Sequence, residues 1–513
     1  MQTGVFDVVV VGGGINGTGI ARDLAGRGLT VLLCEKDDLA RHTSSASTKL
    51  IHGGLRYLEY YEFGLVRKAL QEREVLLRAA PHIIRPLRFV MPHDHHLRPA
   101  WMIRAGLFLY DHLAHRELLP ASRSVDLRRH EAGLPLHSRF ERGFVYSDAW
   151  VDDARLVALC ALDAHERGAQ IHTHTTCAGA TQTDGNWSIT LREQDGAERK
   201  VSARLLVNAA GPWVGEFLSE VAQVPAAKRV RLVKGSHIVV PRLFDHPYAY
   251  IFQNPDKRII FAIPYEQDYT LIGTTDVEYR GEAGQVAIAE DEIHYLCEMA
   301  SRYFQATIAP EQVVWHYSGV RPLLDDESAD AAGVTRDYEL ALEHAPAPLL
   351  SVFGGKITTF RKLAEEAADM VQEVLNRGSG PWTAKATLPG GDLPGGDFEA
   401  FLIQLRKDYP WLPEELRVRY ARGYGSRLPK LLAGRGSLAE LGEAVLPGLY
   451  AAEIHYLQQH EWARSAADIL WRRSKLGLHV PKGGEATLDA WLQRHVVNTT
   501  ESKIYDQTSL TNG

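Results

Sequence analysis

Three glycines stand in a Gly-x-Gly-x-x-Gly spacing at Gly12, Gly14 and Gly17, directly after the apolar run FDVVVV of residues 6–11. Each has a physical task in a site for a dinucleotide. Gly12 permits the tight turn. Gly14 lets a pyrophosphate approach the main chain. Gly17 permits close packing of helix on sheet. Asn16 lies inside the same turn. A helix opening there offers free N–H groups and positive dipole to phosphates. Glu35 follows 18 residues after Gly17, placed to accept hydrogen bonds from ribose hydroxyls. A hydroxyl-rich stretch comes next, with Thr43, Ser44, Ser45 and Ser47, then Lys49. Its hydroxyls and N–H groups can extend the pyrophosphate contacts. A second glycine turn, Gly354-Gly355, is followed by Lys356, Ile357, Thr358 and Thr359. Two such turns about 340 residues apart fit a two-part cofactor. The second helix N-terminus would stabilise an anionic reduced ring.

The elements that must position these groups follow from hydrophobic pattern. FDVVVV reads as a strand buried on both faces of a parallel sheet. A helix runs on to about Arg27, and LTVLLCE (29–35) is the next strand, giving a βαβ unit. Helical periodicity returns at 62–80 and 152–167. Residues 169–207 alternate as strands around a DGNW turn. Strands LLVNAAG, VRLVKGSHIVVP, RIIFAIP, YTLIGTTD and SVFGG follow, and the last leads into a helix. The Gly/Pro-rich 376–396 reads as a linker, and short helices fill the remainder. The order implies a nucleotide-binding α/β core, an inserted β-rich module and a helical C-terminal module.

The chain has 513 residues, 45% hydrophobic and 24% charged, an ordinary globular composition. Its 57 basic and 64 acidic residues give a net charge of −7, which disfavours a general nucleic-acid binder. Four scattered cysteines without CxxC imply buried, reduced thiols and a cytosolic chain. The opening MQTGVFDVVVVGGG reads as neither signal peptide nor anchor, and no apolar run is long enough to span a bilayer. No metal is expected. His93-Asp94-His95-His96 reads as a polar loop, and Asp325-Asp326-Glu327 lacks a calcium-loop pattern.

Taken together, GGGINGTGIARDLAGRG, TSSASTKLIHGGLRYLE, YSDAWVDDARL, NAAGPWV, KGSHIVVP, GTTDVEY, SGVRPLLDDES, VFGGKITTFRKLAE and LWRRSKLG resemble the FAD-dependent glycerol-3-phosphate dehydrogenases, most closely the bacterial aerobic type. The resemblance runs in order from residue 6 to about 478. It implies an α/β fold, with a Rossmann-type FAD-binding domain interleaved with an antiparallel-sheet substrate domain of the amino-acid-oxidase kind. A helical C-terminal domain follows. The corresponding ranges are 1–80, 150–215 and 345–376 for FAD, then 81–149 and 216–344 for substrate, and 397–513 for the C-terminal domain. The implied reaction oxidises sn-glycerol 3-phosphate to dihydroxyacetone phosphate and passes electrons to membrane quinone (ubiquinone or menaquinone). The alternative is an oxidase that delivers them to oxygen and releases peroxide. A homodimer is implied as well.

The resemblance also assigns site residues. A phosphorylated secondary alcohol needs cations, a proton acceptor and a hydride acceptor. Arg56, Arg321 and Lys356 are the cations, with Tyr57 lining the pocket, and His237 is the expected base. Arg321 shares the catalytic assignment. Leu50, His52, Gly53, Gly54, Ala210, Gly211 and Trp213 join the glycines and hydroxyls around FAD. FAD is expected to be non-covalent, so His52 is read as a packing or flavin-edge residue. Residues 85–129 hold eight Arg against four acids, with a dense apolar set in PAWMIRAGLFLYDHL. That pattern suits an interfacial helix on an anionic membrane. The expected location is therefore peripheral, on the cytoplasmic face of the bacterial inner membrane.

Overall fold

In a computed structural model, residues 4–94, 97–225, 228–256, 258–324, 337–344 and 346–495 are described. His95, His96 and the Asp325-Asp326-Glu327 run lie outside them. Two compact units divide the chain at Gly391/Asp392.

The first unit weaves between two sheets. It begins with β1 (Phe6–Val11), α1 (Ile15–Gly26) and β2 (Val31–Cys34). It leaves for β3 (Leu50–Ile51), α2 (Phe63–Ala79), β4 (Ile84–Pro92), α3 (Ala100–His112), β5 (Arg123–Asp126) and β6 (Arg142–Val151). It returns through α4 (Asp153–Glu166), β7 (Gln170–His172), β8 (Thr175–Thr183), β9 (Asn186–Glu193), β10 (Glu198–Asn208) and a short α5 (Val214–Glu216). A second excursion contributes β11 (Val230–Pro241), β12 (Ala249–Gln253), β13 (Ile259–Tyr265), β14 (Tyr269–Gly273), β15 (Val277–Glu278), α6 (Glu290–Ser301) and β16 (Trp315–Leu324). The chain comes back with β17 (Glu339–Glu343), β18 (Leu349–Phe353) and α7 (Phe360–Leu375).

The first sheet has the order β17-β18-β10-β1-β2-β7, with β9 on β10 and β8 on β9. Pairings from β18 through β10, β1 and β2 to β7 are parallel. Val8, Val9 and Val10 are wholly buried, as a covered parallel strand requires. Burying each such side chain contributes about 1.5–3 kcal/mol. Helix α1 packs against α4 and α7. The second sheet has the order β15-β11-β14-β13-β12-β4-β6-β3, with β16 on β11 and β5 on β6. It is antiparallel except at β4–β12, which runs parallel where Phe89 and Val90 face Ala249 and Tyr250. Strand β3 belongs to this second sheet, and β17 belongs to the first.

The Gly/Pro-rich segment read as a linker is largely packed onto the first unit. Trp382 Nε1 donates to the Asp23 carbonyl at 3.1 Å, Thr383 is buried, and Leu388 N donates to the Ala79 carbonyl at 2.8 Å. Glycines and prolines here let the chain follow a surface closely rather than swing free. The second unit holds α8 (Phe398–Asp408), α9 (Glu414–Tyr424), α10 (Leu428–Leu432), a hairpin of β19 (Ala444–Leu446) and β20 (Leu449–Tyr450), α11 (Ala451–Glu461) and α12 (Gly484–Arg494). Its apolar core includes Tyr420, Leu428, Ile454, Leu457 and Trp491. Buried Glu453 accepts from Arg419 and from the Tyr424 hydroxyl, each at 2.6 Å.

Candidate functional site

Strand β1 ends where the main chain must turn under a ligand. Gly12 has φ of +116°, and its N–H donates to the Cys34 carbonyl at 2.9 Å. A Cβ on Gly12 would overlap the Ala209 carbonyl, and one on Gly17 would overlap the Gly12 carbonyl. The tight turn and the helix–sheet approach therefore both exclude side chains. Ser44 Oγ accepts from Ile15 N at 3.0 Å, in the first turn of α1. Glu35 directly follows β2 and accepts from Gly13 N at 2.6 Å and Asp37 N at 2.8 Å. Burial pushes its carboxyl above the usual range, while those N–H groups oppose the shift.

The two glycine turns meet. Asn16 Nδ2 donates to the Gly354 carbonyl at 3.1 Å, and a Cβ on Gly355 would stand 2.8 Å from that nitrogen. Among the described residues Asn16 Oδ1 is buried without a hydrogen-bond partner. A cavity of about 240 Å³ runs between the turns. Gly12, Gly14, Asn16, Glu35, Thr43, Ser44, Ala210, Gly211, Trp213, Gly354 and Gly355 line it. A trough floored by main chain, with a helix N-terminus at one end and an unsatisfied amide oxygen within reach, fits FAD. Thr43 Oγ1 donates to the Val320 carbonyl at 2.8 Å and ties the loop to β16.

Other residues expected around FAD are placed differently. Lys49 is buried, and its ammonium donates to Asp153 at 2.8 and 3.0 Å and to the Ser45 carbonyl at 3.1 Å. Ser47 Oγ donates to Asp153 at 2.7 Å. Both therefore anchor the loop to the start of α4 and line neither cavity. Ser45 Oγ donates to the His42 carbonyl at 3.3 Å, and Leu50 is buried in β3. Thr358 Oγ1 accepts from His52 N at 3.2 Å, which ties the His52-Gly53-Gly54 turn to the start of α7. Thr359 is buried beside it.

A second cavity, of about 310 Å³, opens beyond that turn. Its lining includes His52, Gly54, Arg56, Tyr57, Tyr60, Tyr146, Asp148, Phe261, Thr274, Asp276 and Arg321. Arg56 and Tyr57 come from a 3-10 turn at Leu55–Tyr60, and Arg321 from β16. The Arg321 guanidinium donates to the Asp276 carboxylate, and to Thr274 Oγ1 at 3.2 Å. Gly235 of β11 leaves it space, since a Cβ there would stand 2.5 Å from Nη2. Lys356 Nζ sits 4.0 Å from the centre of the Tyr57 ring. Arg56, Tyr57 and Arg321 thus converge on one cavity from distant parts of the chain, with Lys356 against Tyr57.

His237 lies beneath this group and lines neither cavity. It is buried on β11, its Nε2 is 2.9 Å from Thr48 Oγ1, and its ring stacks on Tyr317 at 4.8 Å. Among the described residues its Nδ1 has no hydrogen-bond partner. Burial holds the imidazole well below its usual range, with Arg321 and Lys49 adding to the shift. The ring is therefore neutral near pH 7.

Sequence reading missed the acidic and phenolic wall. Asp148 accepts from Arg73 Nη1 at 2.7 Å and from the Tyr110 hydroxyl at 2.8 Å, and Tyr110 in turn accepts from Gly53 N at 2.8 Å. Asp276 and Thr274 were missed as partners of Arg321. The available signal was alternation. Tyr146 and Asp148 are two apart on β6, so they share a face.

Helix α3 buries only Leu107, Tyr110 and Asp111. Trp101 is 70% exposed and Phe108 57%, with Met102 and Leu109 also exposed. Tyr61 is 79% exposed, next to cavity-lining Tyr60 at the turn against which α3 lies. Not every arginine of 85–129 faces outward, because half-buried Arg85 lies over the Trp150 ring at 4.4 Å. Among the described residues, no helix is long and apolar enough to cross a membrane.

The family described as FAD dependent oxidoreductase matches residues 7–361, and the C-terminal domain of alpha-glycerophosphate oxidase matches 382–494. A glycerol-3-phosphate dehydrogenase of Pseudomonas aeruginosa is 55% identical over 491 residues, which is 95% of each chain. A D-erythritol 1-phosphate dehydrogenase of Brucella abortus is 52% identical, covering 94% of this chain and 97% of that one. The structure of a glycerol-3-phosphate dehydrogenase from Bacillus halodurans complexed with FAD superposes with a TM-score of 0.78 at 26% identity, covering 99% of this chain and 94% of that one.

Proposed function

The chain belongs to the FAD-dependent glycerol-3-phosphate dehydrogenases, and from that premise we propose how its residues carry out the oxidation of sn-glycerol 3-phosphate and where the electrons go. The observation that carries the reading is the convergence of Arg56, Tyr57 and Arg321 on one cavity, tied through Thr358 and Asn16 to the dinucleotide trough. FAD, when bound, supplies the hydride acceptor. Gly12, Gly14, Asn16, Glu35, Ser44, Gly354 and Gly355 hold it. Arg56, Arg321 and Lys356 bind the phosphate dianion and orient the C2 carbon, and charge-assisted hydrogen bonds of this kind are roughly twice as strong as neutral ones. Tyr57, which holds the Lys356 ammonium over its ring, packs that cation against the site. His237 is neutral and is the candidate acceptor of the C2 hydroxyl proton; because its Nε2 meets Thr48 Oγ1 and it lines neither cavity, it serves only once that contact opens toward the substrate. Product dihydroxyacetone phosphate leaves by the same cavity.

Electrons then pass to a membrane quinone, ubiquinone or menaquinone. The exposed apolar face of α3 supports this reading, because it adjoins the turn that carries cavity residue Tyr60. Trp101, Met102, Phe108 and Leu109 rest in the lipid interface and basic residues of 85–129 meet anionic headgroups. On this reading the enzyme sits peripherally on the cytoplasmic face of the bacterial inner membrane and works as a homodimer. A second reading has one observation in its favour: the matching C-terminal family is described by an oxidase. Anaerobic mixing with glycerol 3-phosphate should bleach the flavin, and glycerol should not. A flavin unchanged by glycerol 3-phosphate rejects the enzyme reading. In air, strong dependence on a quinone analogue with little peroxide supports quinone; stoichiometric peroxide would make it an oxidase.

A further inference from the structure

Tyr146 stands in the wall of the charged cavity with nothing to hold its hydroxyl. Its residue is 2% exposed, and its ring stacks on Phe89 at 5.3 Å and meets Tyr110 edge-on at 6.0 Å. Those contacts fix the ring and leave the oxygen alone. Among the described residues the hydroxyl has no hydrogen-bond partner, although the side chain lines the cavity. Buried phenols are normally partnered, because leaving the group dry is costly. Here the hydroxyl faces the cavity, so its partner is water or a substrate group that displaces it. Burial pushes the phenol well above its usual range, so it remains protonated and able to donate.

Charge places the two ends of a polyol phosphate. Arg321 reaches the cavity from β16, at one end of the strand order, and Tyr146 reaches it from β6, six pairings away. Asp148, two residues along β6, gives Tyr146's wall a carboxylate. Arg56 and Arg321 outnumber the one carboxylate that Arg321 meets, Asp276, whereas Asp148 is met by Arg73 and offers no net positive charge, so a phosphate dianion is drawn to the arginines. The hydroxyl end of the same molecule is left facing Tyr146. We propose that Tyr146 is a specificity-determining residue that hydrogen-bonds the hydroxyl beyond the reacting carbon, the C1 hydroxyl in glycerol 3-phosphate. The site then reads a polyol phosphate by its chain as well as by its phosphate. One relative is named for a four-carbon polyol phosphate and another for a three-carbon one, so substrate chain length differs among members of the family.

The proposal rests on the dehydrogenase reading, and its test separates the two. Propane-1,2-diol 1-phosphate keeps the phosphate and the reacting carbon but lacks the C1 hydroxyl. Anaerobic flavin reduction in the wild-type holoenzyme should favour glycerol 3-phosphate over this analogue by up to about tenfold, the size of one neutral hydrogen bond. Tyr146→Phe should lose that factor on glycerol 3-phosphate alone, bringing the two substrates close to parity. Its flavin content should match the wild type, which reports that the stacked ring is intact. Equal wild-type rates with both compounds overturn the proposal without any variant. So does an equal loss on both substrates in Tyr146→Phe. Failure of the wild type to react with either phosphate sinks the dehydrogenase reading instead.

Discussion

The dinucleotide trough is made of main chain, whereas the charged cavity next to it is made of side chains. Gly12, Gly17 and Gly355 act by having no Cβ, and the groups they release are N–H and carbonyl. Arg56, Arg321, Tyr146 and Asp148 line the cavity with the ends of long or planar side chains delivered by a turn and two strands of one sheet. The difference predicts how each fails. A main-chain site fails by steric exclusion, all at once. A side-chain site fails one hydrogen bond at a time and leaves the fold and the cofactor in place.

The largest effect should therefore come from the smallest change. Gly17→Ala adds one methyl, which would overlap the Gly12 carbonyl and force β1 and α1 apart. The expected outcome is purified protein without flavin absorbance. Flavin retained at wild-type level would show that the turn can relax and would break the distinction.

His237→Gln should come next. General-base catalysis contributes typically about 10²- to 10⁴-fold, so kcat should fall by that order, with flavin content and KM little changed. The pH dependence sharpens this. Burial and the charges of Arg321 and Lys49 lower the folded imidazole's pKa. If His237 is the base, it stays competent through pH 6.5, and kcat should decline only well below it. Linkage carries the same sign. The native state refuses a proton that the unfolded chain takes near pH 6.5, so stability is full above that pH and declines as pH falls through it. Urea titrations from pH 8 to 5 should show a smaller acid loss in His237→Gln. Equal losses would mean that His237 is not the group responsible.

Arg321→Ala removes the guanidinium that reaches the cavity from β16. Losing a charged hydrogen bond costs about 1.5–3 kcal/mol, so kcat/KM should drop by about 10- to 150-fold. Flavin should be retained. Asp276 complicates the result in a useful way, since it would be left without its arginine. Arg321→Ala combined with Asp276→Asn should recover stability but not substrate affinity.

The contrast in materials also explains what could be read from the chain. The trough was legible because Gly12 to Gly17 and Glu35 lie within one βαβ unit, in register, and each residue type has a backbone reason to be there. The interleaving was legible in outline, since apolar strands announce themselves by β-branched runs. The ends were less so. Strand β3 has only two residues, Leu50 and Ile51, too few to show a period, and joins the second sheet through β6. Lys49 looks like a phosphate cation in sequence, yet Asp153, 104 residues away, takes its charge. Arg321 needed its family motif to be placed, because nothing local tells that β16 and the Leu55–Tyr60 turn face one cavity. Tyr146 and Asp148 stand in the motif YSDAWVDDARL, but a motif does not tell which way its side chains point.

Ser44→Ala tests the boundary between the two kinds of site, with the smallest effect. Ser44 is a side chain serving the main-chain trough: its Oγ accepts from Ile15 N at 3.0 Å, in the first turn of α1. Removing it frees one N–H at the point where the pyrophosphate is expected. Loss of a neutral hydrogen bond costs about 0.5–1.5 kcal/mol, which would weaken FAD by about two- to tenfold. The released N–H, however, becomes available to the phosphate, and a water or phosphate oxygen can take the place of Oγ. The net change should fall at the low end, about twofold, measured by titrating apoprotein with FAD and following fluorescence quenching. A loss beyond about tenfold would show that the hydroxyl holds the loop in shape, and that the trough depends on side chains after all.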